Sequence, residues 1–117
     1  MHTIRINPLA LEDLQEIKKY ITEELENPAA ALNVVSTIIE SYEKLKEFPM
    51  LGGELAAKIN IPTDFRYLIS GSYLVFYKVD SSHVSIYRVL YAKRDYLTIL
   101  FNNEKLEKYK SQILKAL

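Results

Sequence analysis

Two asparagine-proline pairs, Asn7-Pro8 and Asn27-Pro28, constrain the first half of this chain more than any other feature. An asparagine side chain can accept a hydrogen bond from a free amide of a first helical turn, and a proline at the first helical position loses no hydrogen bond. Each pair precedes apolar residues at helical spacing: Leu11, Leu14, Ile17, Ile21 and Leu25 after the first, and Leu32, Val35, Ile39, Tyr42 and Leu45 after the second. The pattern predicts a helical hairpin that ends before Pro49.

The second half is typical of an antiparallel sheet. Three runs of β-branched and aromatic residues, at 65–70, 73–80 and 83–92, are joined by Ser70-Gly71-Ser72 and Asp80-Ser81-Ser82, which suit tight turns. The alternating residues 2–6 predict a further strand at an edge. Residues 49–64 contain two of the three glycines and two of the four prolines, and are predicted to be a loop under weak constraint. The predicted fold class is α+β, with the N-terminal strand and the helical hairpin packed on one face of a small antiparallel sheet, and the other face open.

The C-terminal residues predict more helix. Asp95 is a candidate cap for a short helix that begins at Tyr96. From about Glu104 an amphipathic helix is predicted, with Leu106, Tyr109, Ile113 and Leu117 on one face. We therefore expect a domain at 1–101 and a helical extension at 102–117 that packs on its own chain, with self-association or a partner as alternatives.

Composition excludes several function classes. The 117 residues include no cysteine, and neither His2 nor His83 has a second ligand at metal-binding spacing, so no metal is predicted. Glycine-rich phosphate loops and serine nucleophile motifs are missing as well, and no cofactor is predicted. The chain has no apolar run of membrane-spanning length and no N-terminal secretion signal, which predicts a cytoplasmic protein and no membrane contact.

Charge is unevenly distributed along a chain whose net charge is zero. Residues 1–60 carry a net charge of −4 and residues 61–117 a net charge of +4. Strict alternation in the last strand places Arg88 on one face with Ile86, Leu90, Ala92 and Arg94. Together with Arg66, these arginines could form a phosphate-sized basic patch on the open face. The alternative, that they pair with helix acids such as Glu12 or Glu16, stays open.

The chain resembles the RelE/ParE superfamily of toxins from type II toxin–antitoxin systems over about residues 2–101. The resemblance lies in "PLALEDLQEI" at the first helix, in "YLVFYKV", and in "RVLYAKRDY" at the last strand. It implies a cognate antitoxin as partner, whose extended segment covers sheet and hairpin surfaces and whose acids neutralise Arg66, Lys93 and Arg94. It leaves the oligomeric state open.

Two functional classes of the superfamily imply different roles for the basic residues. Ribosome-dependent ribonucleases cut mRNA without a metal, by attack of the ribose 2′-hydroxyl on the adjacent phosphate. That chemistry needs cations beside the phosphate and a proton-transfer group. The resemblance suggests catalytic and substrate-binding roles for these residues: Arg66, Arg94 and Tyr91 as catalytic, and Lys93, Arg88 and Tyr96 as substrate-binding.

The sequence departs from the ribonuclease pattern at two places. Leu74 stands where such members often have arginine, and the catalytic tyrosine position falls near Leu100 or Phe101. Tyr91 or Tyr96 could replace the missing group only if surrounding cations lower its pKa. The leading interpretation is a toxin that cleaves mRNA on the ribosome. An inhibitor of DNA gyrase without nuclease activity, or a degenerate non-toxic module, are the alternatives, so enzymatic activity is left open.

Overall fold

The computed structural model describes residues 1–101 together with Lys115. Its elements, in chain order, are β1 (Thr3–Ile6), α1 (Pro8–Glu23), α2 (Pro28–Glu43), a 3₁₀ turn (Lys44–Lys46), β2 (Gly53–Glu54), α3 (Leu55–Ile59), β3 (Arg66–Ser70), β4 (Tyr73–Val79), β5 (His83–Tyr91) and α4 (Tyr96–Leu100). The predicted C-terminal helix, from about Glu104, lies outside the described residues. No helix in the described part of the chain is both long and apolar enough to cross a membrane.

Both predicted helix starts are confirmed. The Asn7 side chain accepts a hydrogen bond from the Leu9 amide at 3.0 Å, and Asn27 accepts one from the Ala30 amide at 3.1 Å. In each helix proline is at the start, where its missing N–H costs nothing. The predicted apolar stripes are only partly buried, since Leu11, Leu25 and Leu32 are at least half exposed.

The sheet has five strands in the order β1-β5-β4-β3-β2. The predicted meander of β3, β4 and β5 is confirmed, and Gly71 takes a left-handed conformation (φ 57°) in its first turn. β1 is added at the edge, as predicted, but it pairs with β5 in parallel, from Thr3 opposite His83 to Ile6 opposite Ile86. The α+β fold class is confirmed, with a mixed sheet.

Apolar side chains are buried on both faces of this sheet. The helix-side core lies between the hairpin and the sheet: Ala10, Leu14, Ile38, Tyr42, Leu45, Leu68, Val75, Tyr77, Val84, Ile86 and Val89. An outer core lies on the opposite face, with α3 and α4 contributing: Leu55, Phe65, Leu74, Phe76, Leu90 and Phe101. The expectation that the second face is open is therefore wrong.

The segment predicted to be a loose loop is also ordered by packing. Residues 53–59 form β2 and α3, and Leu55 is completely buried. Gly52 lies so close to the sheet that a Cβ there would overlap the Tyr67 carbonyl of β3 and would lie 2.6 Å from the Tyr77 hydroxyl of β4. The glycines that suggested flexibility are instead required by close contact.

A β-bulge changes which way the last strand points its side chains. Phe76 lies opposite Arg88 and Tyr77 opposite Ile86, so Tyr87 is an extra residue in β5. Ile86 and Val89 consequently share the helix-side core, while Leu90 belongs to the outer core. The strict alternation predicted from Ile86 to Arg94 is wrong because the bulge reverses it.

Candidate functional site

The end of β5 presents two cations to solvent. A tight turn follows Tyr91, in which the Arg94 amide donates to the Tyr91 carbonyl at 3.0 Å and the Ala92 amide donates to the Ser72 carbonyl at 2.8 Å. Asp95 then caps α4, as predicted, by accepting a hydrogen bond from the Thr98 amide at 3.4 Å, and it accepts a second from the Thr98 hydroxyl at 2.7 Å. Lys93 and Arg94 are exposed, and their side chains have no ion-pair or hydrogen-bond partner in the described part of the chain. These two residues and Tyr91 form the strand-end site.

A groove of about 640 Å³ opens beside the strand-end site, between the hairpin and the ends of β4 and β5. Its walls are largely apolar and are formed by Ile17, Tyr20, Ile21, Leu25, Val34, Tyr73, Val89 and Tyr91. Polar or charged groups stand at a few positions, namely Asp13, Glu16, Ser72 and Arg94. Such a surface fits the apolar face of an amphipathic segment and can also contact acidic residues on it.

Tyrosines cluster at the mouth of this groove. The rings of Tyr73 and Tyr91 meet edge to face, with centroids 5.9 Å apart. Burial, together with the neighbouring Tyr20 and Tyr91, raises the pKa of Tyr73 above its ordinary value of 10.0. Tyr73 therefore holds its proton at neutral pH even more firmly than an ordinary tyrosine does.

Arg88 is held inside the fold. Its guanidinium donates two hydrogen bonds of 2.8 Å to the carboxylate of Asp13 on α1, and the Val89 amide donates a third to the same carboxylate at 2.9 Å. The hydrogen bond to Asp13 raises the pKa of Arg88 further. The sequence left two interpretations open for Arg88, a basic patch on the open face or an ion pair with a helix acid. The structure shows the ion pair, and the acid is Asp13.

Asp13 is the residue that the sequence interpretation missed. It is 5% exposed, a low value for a carboxylate. The helical spacing could have predicted its burial, because Asp13 lies three residues after Ala10 and next to Leu14, on the face of α1 that the sheet covers. An acid at such a position needs a buried partner.

Arg66 is also engaged by its own chain. One guanidinium nitrogen donates to the carbonyl of Met50 at 3.1 Å and to that of Gly52 at 2.5 Å, and the other lies 3.6 Å from the Glu54 carboxylate. Its Nε is buried, with no hydrogen-bond partner among the residues described. The guanidinium of Arg66 therefore faces the loop before β2, where it holds main-chain carbonyls.

The six predicted site residues do not come together. Arg66 lies opposite Tyr77 on β4, whereas Tyr91 lies opposite Tyr73 on the same strand. Four residues of extended chain separate these two positions, about 13 Å along the sheet. Tyr96 is half-buried on a third surface, with its ring 5.2 Å from that of Phe76 in the outer core. Only Tyr91, Lys93 and Arg94 are neighbours.

The described residues contain no cluster of three histidine, aspartate or glutamate side chains that could hold a metal ion. What the strand-end site offers is positive charge beside an apolar groove.

Comparison with known proteins identifies the family. The family described as the ParE toxin of the type II toxin-antitoxin system parDE matches residues 4–96. No curated protein matches significantly. Eleven chains of solved structures do match. One of them, from the chromosomal ParDE toxin–antitoxin system of P. aeruginosa, aligns with a TM-score of 0.67 and 20% identity over 80% of this chain and 98% of its own, and so shows the same fold. With most of its length matched by the family, this chain belongs to the ParE toxins of type II toxin–antitoxin systems, and its partner is a cognate antitoxin.

Proposed function

We propose that this toxin arrests growth by binding DNA gyrase as a protein, and that it does not cut mRNA. The observation that carries the proposal is the separation of Arg66 from the strand-end site by about 13 Å along the sheet. A ribonuclease of the kind that the resemblance implies needs its cations and its proton-transfer group around one phosphate. Here Arg66 binds carbonyls of its own loop instead.

Two further contacts support the same conclusion. The guanidinium of Arg88 gives Nε and one terminal nitrogen to Asp13, which holds its charge against α1 and away from the strand-end site. The ring of Tyr96 packs against Phe76 in the outer core, 5.2 Å between centroids, so this second phenol lies away from Tyr91 and Arg94. The target class comes from the resemblance, since gyrase-inhibiting members keep the fold and an arginine like Arg66 while lacking the full acid–base set.

The groove and the strand-end site are the proposed place of the antitoxin. An amphipathic antitoxin helix would bury its apolar residues against Ile17, Ile21 and Val34, and its acids would meet Arg94 and Lys93 at the rim. Both proteins are proposed to act in the cytoplasm, with residues 1–101 as the toxin domain and residues 102–117 as an extension.

Two assays of the purified toxin test this proposal. The first measures supercoiling of relaxed plasmid by gyrase and ATP, and the second measures mRNA integrity on translating ribosomes, each with and without antitoxin. We expect inhibited supercoiling, relieved by antitoxin, and intact mRNA. Codon-dependent mRNA cuts with normal supercoiling would establish the ribonuclease alternative. A folded chain that arrests no growth on expression would make it the degenerate module.

A further inference from the structure

The loop between the 3₁₀ turn and β2 exposes three large apolar side chains. Phe48 is 61% exposed, Met50 62% and Leu51 53%. Scattered exposed apolar residues are common on proteins, but three within four positions form a patch. We call residues 48–51 the apolar loop.

The apolar loop is held rigidly from beneath. The hydroxyl of the buried Tyr77 donates to the Pro49 carbonyl at 3.0 Å and accepts from the Gly52 amide at 3.0 Å. Arg66 adds its hydrogen bonds to the Met50 and Gly52 carbonyls. Within the loop the Leu51 amide donates to the Phe48 carbonyl at 3.0 Å. A buried tyrosine and a largely buried arginine thus fix the backbone while the side chains point outward.

We propose that the apolar loop is the surface that inserts into a pocket of the toxin's protein target. This inference rests on the proposed function and adds the surface by which it is carried out. Fixing a loop before binding removes an ordering cost that binding would otherwise incur. Phenylalanine and methionine are also among the residue types enriched at the centres of protein interfaces.

The charges around the loop favour a protein over a nucleic acid. Lys46 is paired with Glu43 at 2.5 Å, Arg66 is used by the loop itself, and Lys58 lies over a tyrosine ring, 4.8 Å from its centroid. Lys44 is exposed without a salt bridge among the described residues, and it is a single cation. Phosphate contacts require cations that are free to reach outward. The apolar loop instead offers hydrocarbon, which a protein pocket can bury.

The shape of the molecule favours a different protein over a second copy of this chain. A protruding loop needs a concave receiver, and the large groove of this chain lies at the Tyr73 end of β4, away from the Tyr77 end that holds the loop. Loop-in-groove contacts between copies would be head to tail, so they would build a ring or a filament and not the two-fold dimer that is the commonest assembly of soluble proteins.

Expression of variants in cells without antitoxin tests this inference. The loop variant replaces Phe48, Met50 and Leu51 with alanine. The matched control, Leu9→Ala with Leu11→Ala and Ile69→Thr, removes three equally exposed apolar side chains elsewhere. At an equal amount of soluble protein, we expect cells that express the loop variant to form at least about tenfold more colonies than cells that express wild type. The melting temperature of the variant should stay within a few degrees of wild type, and its affinity for antitoxin should be unchanged. The control should arrest growth fully.

Each other outcome is decisive. A loop variant that arrests growth like wild type overturns the inference and leaves the proposed function standing. A loop variant that still arrests growth but no longer binds antitoxin would show that the loop contacts the antitoxin, and this result would also overturn the inference. Wild-type protein that arrests growth with intact mRNA and normal supercoiling overturns the gyrase target alone, since loss of arrest in the loop variant then reports on the surface that binds another protein target.

Discussion

The two ends of the sheet each hold an arginine that the family resemblance marks as functional, and they use it in opposite ways. At the Tyr77 end, Arg66 turns inward and binds two carbonyls, one in the apolar loop (Met50) and one directly after it (Gly52). At the Tyr73 end, Arg94 is exposed and has no side-chain partner among the described residues. One arginine stabilises a surface, whereas the other is part of a surface.

The difference indicates a structural role for Arg66 and a role in binding a partner for Arg94. Replacing an arginine that binds main-chain carbonyls should change the backbone that it holds. Replacing an exposed arginine should change only what binds there. Arg88 is a third case, since its pairing with Asp13 ties α1 to β5 between the two ends. The predictions below test these assignments in order of expected effect.

Removing the buried acid should have the largest effect. Asp13→Ala leaves the Arg88 guanidinium and the Val89 amide without their partner. Breaking a buried ion pair from one side costs about 3–5 kcal/mol in the free energy of unfolding. Urea denaturation measures this, with Glu12→Ala as the exposed control on the same helix. Equal midpoints for the two variants would show that the pair contributes nothing to stability.

Removing one hydroxyl should have the next largest effect. Tyr77→Phe deprives the Pro49 carbonyl and the Gly52 amide of their shared partner, at a cost of about 1–3 kcal/mol in the free energy of unfolding. Tyr91→Phe, on an exposed ring, should change stability by less than about 0.5 kcal/mol. Comparable losses in thermal melts of the two variants would contradict the support assigned to Tyr77.

Arg94→Ala should leave stability within about 0.5 kcal/mol of wild type, because an exposed unpaired cation stabilises little. It should weaken antitoxin binding by about tenfold in Kd, since one charged contact at an interface rim is lost. Calorimetric titration at low and high salt measures this, and the difference from wild type should shrink as salt screens the charge. Unchanged affinity at low salt would place the antitoxin elsewhere.

The smallest predicted effect is a dependence on pH at the turn between β4 and β5. Hydrogen bonds from the Ser82 and His83 amides, aided by the charges of His83 and Arg5, hold the pKa of Asp80 below its ordinary value of 3.8. A lowered folded-state pKa gives stability that is present above the ordinary value and is lost as pH falls through the folded one. Asp80→Asn should therefore melt lower than wild type at neutral pH, and the gap should narrow as pH falls below 3.8. A gap that is constant with pH would rule out this linkage.

The local part of the fold was predictable from the sequence. The caps at Asn7, Asn27 and Asp95 and the turn at Gly71 depend on residues only a few positions apart, and all are confirmed. The bulge at Tyr87 and the parallel pairing of β1 depend on distant partners, so alternation alone could not reveal them.

The candidate site was less predictable than the fold, for the same reason. Arg66, Arg88 and Arg94 look alike in a strand pattern, and only the carbonyls, carboxylate or solvent around each guanidinium distinguish them. The apolar loop was hidden because the two glycines that follow it, Gly52 and Gly53, resemble those of a flexible segment. Tyr77, which fixes it, is one tyrosine among nine.

Amide hydrogen exchange at Leu51 and Gly52 tests most directly the claim that Arg66 serves the apolar loop. Both amides donate hydrogen bonds inside the structure that Arg66 holds. Losing a charged hydrogen-bond donor costs about 1.5–3 kcal/mol, so Arg66→Ala should accelerate exchange at these amides by at least about tenfold, while Arg94→Ala leaves them unchanged. Exchange in Arg66→Ala at the wild-type rate would show that the guanidinium does not hold the loop, and would return Arg66 to the candidates for direct contact with a target.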